Sequence, residues 1–427
     1  MHSDTTSEAP SEVDVSRGAT RGARVLAAAR SLAATPAASA GSTMVGVRLL
    51  FWCLAVLALL WSPLGSHFPK WSAYGPRSDL VFGAFAQWDA DWFLRVVTHG
   101  YDVVETSAFF PGYPLVIRGA AFVFRSSLVA GVVVSLGAAA LAAVFVYRIG
   151  AQSIGKAGAI DAVLFLALYP CALVFTAPYS DGLFLALVTG SFLAATRDRS
   201  WLAGICAGAA VATRLAGLAL IPSLLLLLWP RDRSAREVLR PIPSLVLPLA
   251  ALGGYMVYLH ERFGDAFAYV HVLDVHWYRR VERFGALGGL WHSLRSGWQG
   301  AAELGRHLPA GAGAPQGFPS RDQLAAWNLL HLLVLVAVLW LTWVAWRRLG
   351  PALGLYALSM DVLLLSNTVA VVPLMSFPRY VLGNFPIFIA LAATLRERPR
   401  ARQAVLIVFA ALSAVAAVAF ARGTWIA

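Results

Sequence analysis

Charge is scarce in this chain. Only 13% of its 427 residues are Asp, Glu, Lys or Arg, while 59% are apolar. An ordinary soluble domain carries roughly 25% charged residues, so the composition excludes one. Acids are scarcer than bases, 22 against 34, for a net charge of +12. Lysine is nearly missing: Lys70 and Lys156 stand alone among arginines. Such a basic excess suits nucleic acid in other settings. Here the arginines cluster in short loops between apolar runs, where the positive-inside rule puts them, so no nucleic-acid role follows. Cysteine is rare too. Cys53, Cys171 and Cys206 lie in apolar segments without metal-type spacing and read as small core residues, not a disulfide framework. No G-x-S-x-G, Walker A or H-E-x-x-H pattern occurs. No internal repeat and no soluble domain are evident.

What the chain has instead is apolar runs of about 20 residues, the length that crosses hydrocarbon. The expected fold class is all-α, a polytopic transmembrane helical protein. Residues 1–43 are rich in Ser, Thr, Ala, Glu and Arg and read as a disordered cytoplasmic tail. The membrane domain is expected over 44–427, with Met44 a candidate start and no cleavable signal. Spans are expected at 45–64, 128–147, 160–176, 181–195, 241–259, 325–346, 351–372, 379–395 and 403–421. Arg148, Lys156, Arg197, Arg199, Arg347, Arg348 and the arginines of 396–400 mark the cytoplasmic side. Two large loops, about 65–108 and 260–323, then fall outside. Residues 201–229 carry arginines at both flanks. Two short helices turning near Arg214–Gly217 satisfy that pattern; one span needs an exception to the charge rule.

The first outer loop holds Gln87-Trp88-Asp89-Ala90-Asp91-Trp92-Phe93-Leu94-Arg95, then His99-Gly100-Tyr101. Charged groups beside a bilayer are costly and mark function. Residues 88–98 are expected to form a helix, with Gly100 just beyond its end. Asp91 and Arg95 are then i,i+4 neighbours, with His99 one turn further. Asp89 points elsewhere, among Phe93, Val96 and Val97. Burial of that kind raises a carboxyl pKa and suits a general base; the alternative is a cap on the helix N-terminus. Asp89-Ala90-Asp91 also spells D-x-D, the metal-holding pattern of nucleotide-sugar glycosyltransferases. It lies on the wrong side of the membrane for a nucleotide sugar, so no metal is expected there.

Other candidates are spread along the chain. Phe109-Phe110-Pro111-Gly112-Tyr113-Pro114 reads mainly as an aromatic belt at the interface, with Arg118 just beyond, facing headgroups or a bound phosphate. Tyr179-Ser180-Asp181 sits at the outer end of a helix pair, where Asp181 caps a helix or binds substrate. Arg214 lies inside an apolar run at a cost of about 2.5–3.5 kcal/mol. It needs an anionic ligand or a buried acid such as Asp161 or Asp361. Arg379, in Ser376-Phe377-Pro378-Arg379-Tyr380, suits either phosphate recognition or headgroup anchoring. In the second loop, Asp265, His271, Asp274, His276 and Trp277 read as a solvated or substrate-facing stretch. His271 and His276, at i,i+5, share no helix face for a metal.

These residues resemble the PIG-V family, the GPI mannosyltransferase 2 group of GT-C glycosyltransferases. The resemblance rests on Gln87-Trp88-Asp89, Phe93, His99-Gly100-Tyr101 and Phe109–Pro114. It continues through Ala177-Pro178-Tyr179-Ser180-Asp181, Phe184, Thr213-Arg214, Phe263-Gly264-Asp265, Pro378-Arg379-Tyr380 and Phe385-Pro386, in family order over about 45–395. It implies a GT-C fold whose first outer loop carries a catalytic Asp, at Asp89. It implies inverting transfer of mannose from a polyprenyl-phosphate-mannose donor to a glycolipid, glycan or protein acceptor on the extracytoplasmic side. Substrate-binding candidates are Asp91, Arg95, His99, Arg118, Tyr179, Asp181, Arg214 and Arg379. Asp181 stands where the family is expected to carry Glu, and Leu215 departs from the polar or glycine-containing pair that follows the family's Arg. No metal or other cofactor is implied. Partners are membrane lipid, the lipid-linked donor and the acceptor, with a protein partner as in eukaryotic relatives. The arginine-heavy basic set points to a GC-rich bacterial source. That implies the plasma membrane and an acceptor other than a GPI anchor; a eukaryotic chain would sit in the endoplasmic reticulum. The competing readings are a transporter or flippase for a lipid-linked sugar, which calls for a two-fold repeat and broken helices, and a non-catalytic scaffold.

Overall fold

The computed structural model describes residues 35–61, 80–230, 234–305 and 320–426. Most of the expected tail, and parts of both large loops, lie outside these residues. The first helix, α1 (Pro36–Trp61), begins inside the segment read as tail. Its alanine-rich start favours helix, and Gly41 lets it approach Val144 closely. The acidic motif lies on α2 (Asp89–His99), one residue displaced from the expected 88–98. Gly100 ends it in a left-handed turn, φ 71°, with its N–H donated to Val96 O. The aromatic-proline stretch opens α3 (Gly112–Phe124).

The segment α4 (Ser127–Leu168) runs 42 residues, but its backbone leaves helical geometry at Gly155, φ 77°, ψ 168°. A methyl group at Gly150 would sit 3.4 Å from Ala159 Cβ, whereas nine residues of straight helix would separate them by about 13 Å. The chain therefore folds back at Gly155, beside Lys156. The second limb stops at Leu168, short of the expected 176, because Pro170 disfavours helix at Tyr169; a 3₁₀ turn, Pro170–Phe175, follows.

Next come α5 (Asp181–Ala195), α6 (Ser200–Thr213) and α7 (Leu220–Leu227). Arg214 is extended (φ −157°, ψ 138°) between α6 and a 3₁₀ turn, Leu215–Ala219. Gly217 lies back against the backbone of Ala210 and Val211. The segment is thus two short helices broken at Arg214, not one span. The chain continues through α8 (Ile242–Phe263), α9 (Ala268–Trp277), α10 (Gly285–Leu304), α11 (Arg321–Val344) and α12 (Pro351–Leu365). It ends in α13 (Phe377–Tyr380), α14 (Pro386–Leu395) and α15 (Pro399–Ala421). The expected span 379–395 is bent: the 377–383 and 386–395 limbs meet at 88°, with Pro386 in the first turn of α14.

Among the described residues, five helices can cross a membrane by length and composition, or six if that bent pair counts as one. Five shorter apolar helices accompany them, and the chain is an all-α membrane protein. Among the described residues one short antiparallel ribbon interrupts the helices: β1 (Arg279–Val281) pairs with β2 (Asn367–Val369), Arg279 opposite Val369. It ties the second large loop to the end of α12. The main core forms where α1, α5 and α14 flank α4. A second, aromatic core joins α2, α3, α8 and α9 through Phe93, Phe109, Phe110, Tyr113, Tyr255 and Tyr269. Phe109, Phe110 and Tyr113 are buried, so this stretch is internal packing and not a lipid-facing belt. Its phenols stay hydrogen-bonded: Tyr101 to Phe109 O at 2.7 Å, Tyr255 to Ser107 O at 2.8 Å.

Candidate active site

Four charged side chains from distant segments form one chain of ion pairs. Arg379 Nη1 donates to Asp89 Oδ2 at 2.5 Å. Its Nη2 and Nε donate to Asp181 Oδ2 at 3.0 and 3.3 Å. Arg214 Nη1 donates to Asp181 Oδ1 at 2.5 Å. Arg379 and Asp181 are buried, 3% and 4% exposed, whereas Asp89 and Arg214 at the two ends retain 21% and 18%. The inner pair is thus structural in kind and the outer two groups are open to a ligand. Tyr179 supports the middle: its ring lies 4.4 Å from the Arg379 guanidinium carbon, and its hydroxyl donates to Gln87 O at 3.1 Å.

Local backbone aims these groups. Asp89 is the first residue of α2 and follows Trp88 at φ 59°, ψ −118°. Arg379 follows Ser376 at φ 65°, a left-handed residue that opens α13. Such non-glycine conformations are costly and gather at functional sites. Gly112 helps on the other side: a Cβ there would meet Ala212 O at 2.8 Å. The aromatic-proline stretch therefore abuts the last turn of α6, which presents Arg214. Asp181 begins α5, and Gly182 lets that first turn close on the Ser135 carbonyl of α4.

The open ends face a cavity of about 420 Å³. One wall is charged: Asp89, Asp181, Arg214, Arg379 and Arg279. Phe93, Phe109, Trp277, Leu363, Leu364 and Trp425 add an apolar part to the lining. Arg214 and Arg279 bracket the Tyr380 ring, their guanidinium carbons 4.9 and 5.4 Å from its centroid. Arg279 is held only by carbonyls, Met375 O at 2.7 Å and Asn367 O at 3.3 Å, and among the described residues it has no carboxylate partner. An anion in the cavity would therefore meet a cation not already neutralised.

The structure brings together Asp89, Tyr179, Asp181, Arg214 and Arg379. It leaves Asp91, Arg95, His99 and Arg118 off the cavity wall. Several expected pairings are replaced. Asp89 is ion-paired, not isolated among apolar groups. Arg95 pairs with Asp102 instead of Asp91, because the turn at Gly100 brings Asp102 back beside α2: Nε to Oδ1 at 3.0 Å and Nη2 to Oδ2 at 2.9 Å. That guanidinium holds the Asp102 carboxyl below its usual range. His99 is exposed beside Thr98 Oγ1, and Arg118 is exposed on α3. Arg214 takes Asp181, not Asp161 or Asp361. Asp161 binds Arg402 at 2.6 Å, and Asp361 accepts from Thr342 and Asn384. His271 pairs with Asp265, and His276, on the cavity wall, pairs with Glu105. The sequence reading missed Arg279, Tyr380 and Trp425. Arg279 arrives only through the β1–β2 pairing, which three-residue strands do not announce. Tyr380 was visible inside the Pro378-Arg379-Tyr380 motif.

The mannosyltransferase (PIG-V) family model matches residues 58–226. GPI alpha-1,6-mannosyltransferase 2 of Cricetulus griseus is 29% identical over 183 residues, 40% of this chain and 37% of that protein. The Homo sapiens protein of the same name is 27% identical over 183 residues, again 40% and 37%. The chain thus spans under two-fifths of the length of these relatives. Among solved structures, an Archaeoglobus fulgidus oligosaccharyltransferase superposes with a TM-score of 0.40 at 13% identity, over 89% of this chain and 55% of that one. The PIG-V mannosyltransferase match takes in the segment that carries Asp89, Tyr179, Asp181 and Arg214.

Proposed function

We propose that the protein is an integral membrane mannosyltransferase that uses a polyprenyl-phosphate-mannose donor and an acceptor hydroxyl of a glycolipid, glycan or protein. The observation that carries this reading is one carboxylate, Asp89, at the open end of an ion-pair chain, lining the same cavity as two arginines that converge on Tyr380. Asp89 Oδ2 is held by Arg379, while its Oδ1 has no hydrogen bond among the described residues and is left to take a proton. The acceptor oxygen attacks the anomeric carbon as Asp89 accepts the hydroxyl proton. The bond from that carbon to the phosphate oxygen breaks, and the electron pair leaves with the phosphate. Arg214 and Arg279 receive the charge that grows there. Direct displacement inverts the anomeric centre. Asp181 and Tyr179 position the arginines and do not touch the reacting atoms. The apolar part of the lining suits a lipid-borne donor, and the cations at hand are arginines, so no step is routed through a metal. The loop arginines support a site on the extracytoplasmic face, in a bacterial plasma membrane or, in a eukaryote, the endoplasmic reticulum.

The test uses membranes carrying Asp89→Asn and radiolabelled polyprenyl-phosphate-mannose. Loss of a general base is expected to lower transfer by about 100-fold or more; undiminished transfer would overturn the assignment. The breaks at Arg214 and before Pro386 are also what a lipid-linked sugar transporter would show. The same assay separates the two, because a transporter relocates labelled donor without consuming it.

A further inference from the structure

Helix α10 has three faces. Gly289, Ser293, Gly297 and Gly300 are buried, with Gly289 against Leu365, Gly297 against Leu332 and Gly300 against Ala325. His292, Arg295 and Gln299 form an exposed polar stripe. The third face is apolar yet open: Phe284, just before the helix, then Leu287, Trp291, Leu294 and Trp298, between 43% and 76% exposed. Their spacing of three and four residues puts them on one side. A helix that packs through glycines and turns its tryptophans outward is not shaped by the protein core.

We infer that this stripe lies in the phospholipid leaflet beside the cavity. The α11 helix that α10 packs against exposes Leu330, Leu333, Val336, Trp340 and Trp343, and α11 is long and apolar enough to span. The stripe on α10 extends that lipid-facing surface. Arg283 and Arg295, both exposed, flank it without a carboxylate partner among the described residues, the arrangement that meets lipid phosphates at an interface. Tryptophan concentrates at that depth because its ring is apolar and its N–H is polar. The contact has a consequence for the cavity. Three residues separate α10 from β1, and Glu282 among them accepts from His292 at 2.7 Å and from Thr368. Lipid held by α10 therefore steadies the wall that carries Arg279. The inference concerns membrane contact alone and stands whether or not the proposed reaction is correct.

The test places a single fluorescent label on the full chain. Cys53→Ala and Cys206→Ala leave buried Cys171, and Leu287→Cys, Leu294→Cys or Gln299→Cys supplies the site. Labelled proteins are placed in nanodiscs of phosphatidylcholine and phosphatidylglycerol, with quenchers either on the lipid acyl chains or as aqueous iodide. Labels at 287 and 294 are expected to be quenched several-fold more by the lipid quencher than the label at 299, and less by iodide. Equal lipid quenching at 287 and 299 overturns the inference. So does protection at 287 that depends on a second protein copy per disc. Leu294→Cys supplies the reading if Leu287→Cys does not fold.

Discussion

Arg379 holds two carboxylates at once with its fork of N–H donors, and lysine has no such fork. Arg379→Lys is expected to keep Asp181 neutralised but release Asp89, so membrane yield stays near normal while transfer falls. Arg379→Ala removes the partner of a buried acid, a loss of about 3–5 kcal/mol, and is expected to collapse the yield of monodisperse protein on gel filtration. Adding Asp181→Asn should restore part of that yield but not activity. A second residue-scale case is Asp102. Its carboxyl sits below its ordinary value of 3.8 because Arg95 donates to it. A depressed carboxylate contributes stability above its unfolded pKa and loses it as pH falls through the folded one. Wild type is therefore expected to exceed Asp102→Asn in Tm at neutral pH. The gap should close only when the medium is more acidic than 3.8, as read by thermal scans across pH.

Two elements meet at Gly112. The start of α3 touches the end of α6 with no room for a side chain, since a Cβ would lie 2.8 Å from both Ala212 O and Thr213 Oγ1. Overpacking of this kind costs about 1–3 kcal/mol. Gly112→Ala is expected to push the last turn of α6 away and to turn Arg214 with it. The measurement is KM for the lipid donor, which should rise more than kcat falls if Arg214 binds phosphate and takes no proton. Arg214 is extended where α6 ends, and its side chain reaches Asp181.

At the scale of the whole molecule, the sequence was legible where one local rule decided the outcome. Hydropathy and loop arginines gave the membrane class. Gly100 marked the end of α2, and the arginines on both flanks gave the break near Arg214. Pairings between distant segments were not legible. Asp89 and Arg379 lie 290 residues apart and Asp181 and Arg379 lie 198 apart, so no local spacing pointed to them. A chain truncated before Phe377 is therefore expected to turn over faster in membranes by pulse-chase than the full chain. Asp181→Asn should slow that turnover in the truncated chain and leave the full chain unaffected. The same separation sets a clock. At about 5–20 residues per second, roughly 15–60 s pass between synthesis of Asp89 and of Arg379. Through that interval the membrane holds a half-made protein in which Asp89 awaits its arginine, so the speed of the ribosome, and whatever shelters that acid meanwhile, belongs to the conditions under which this site can form.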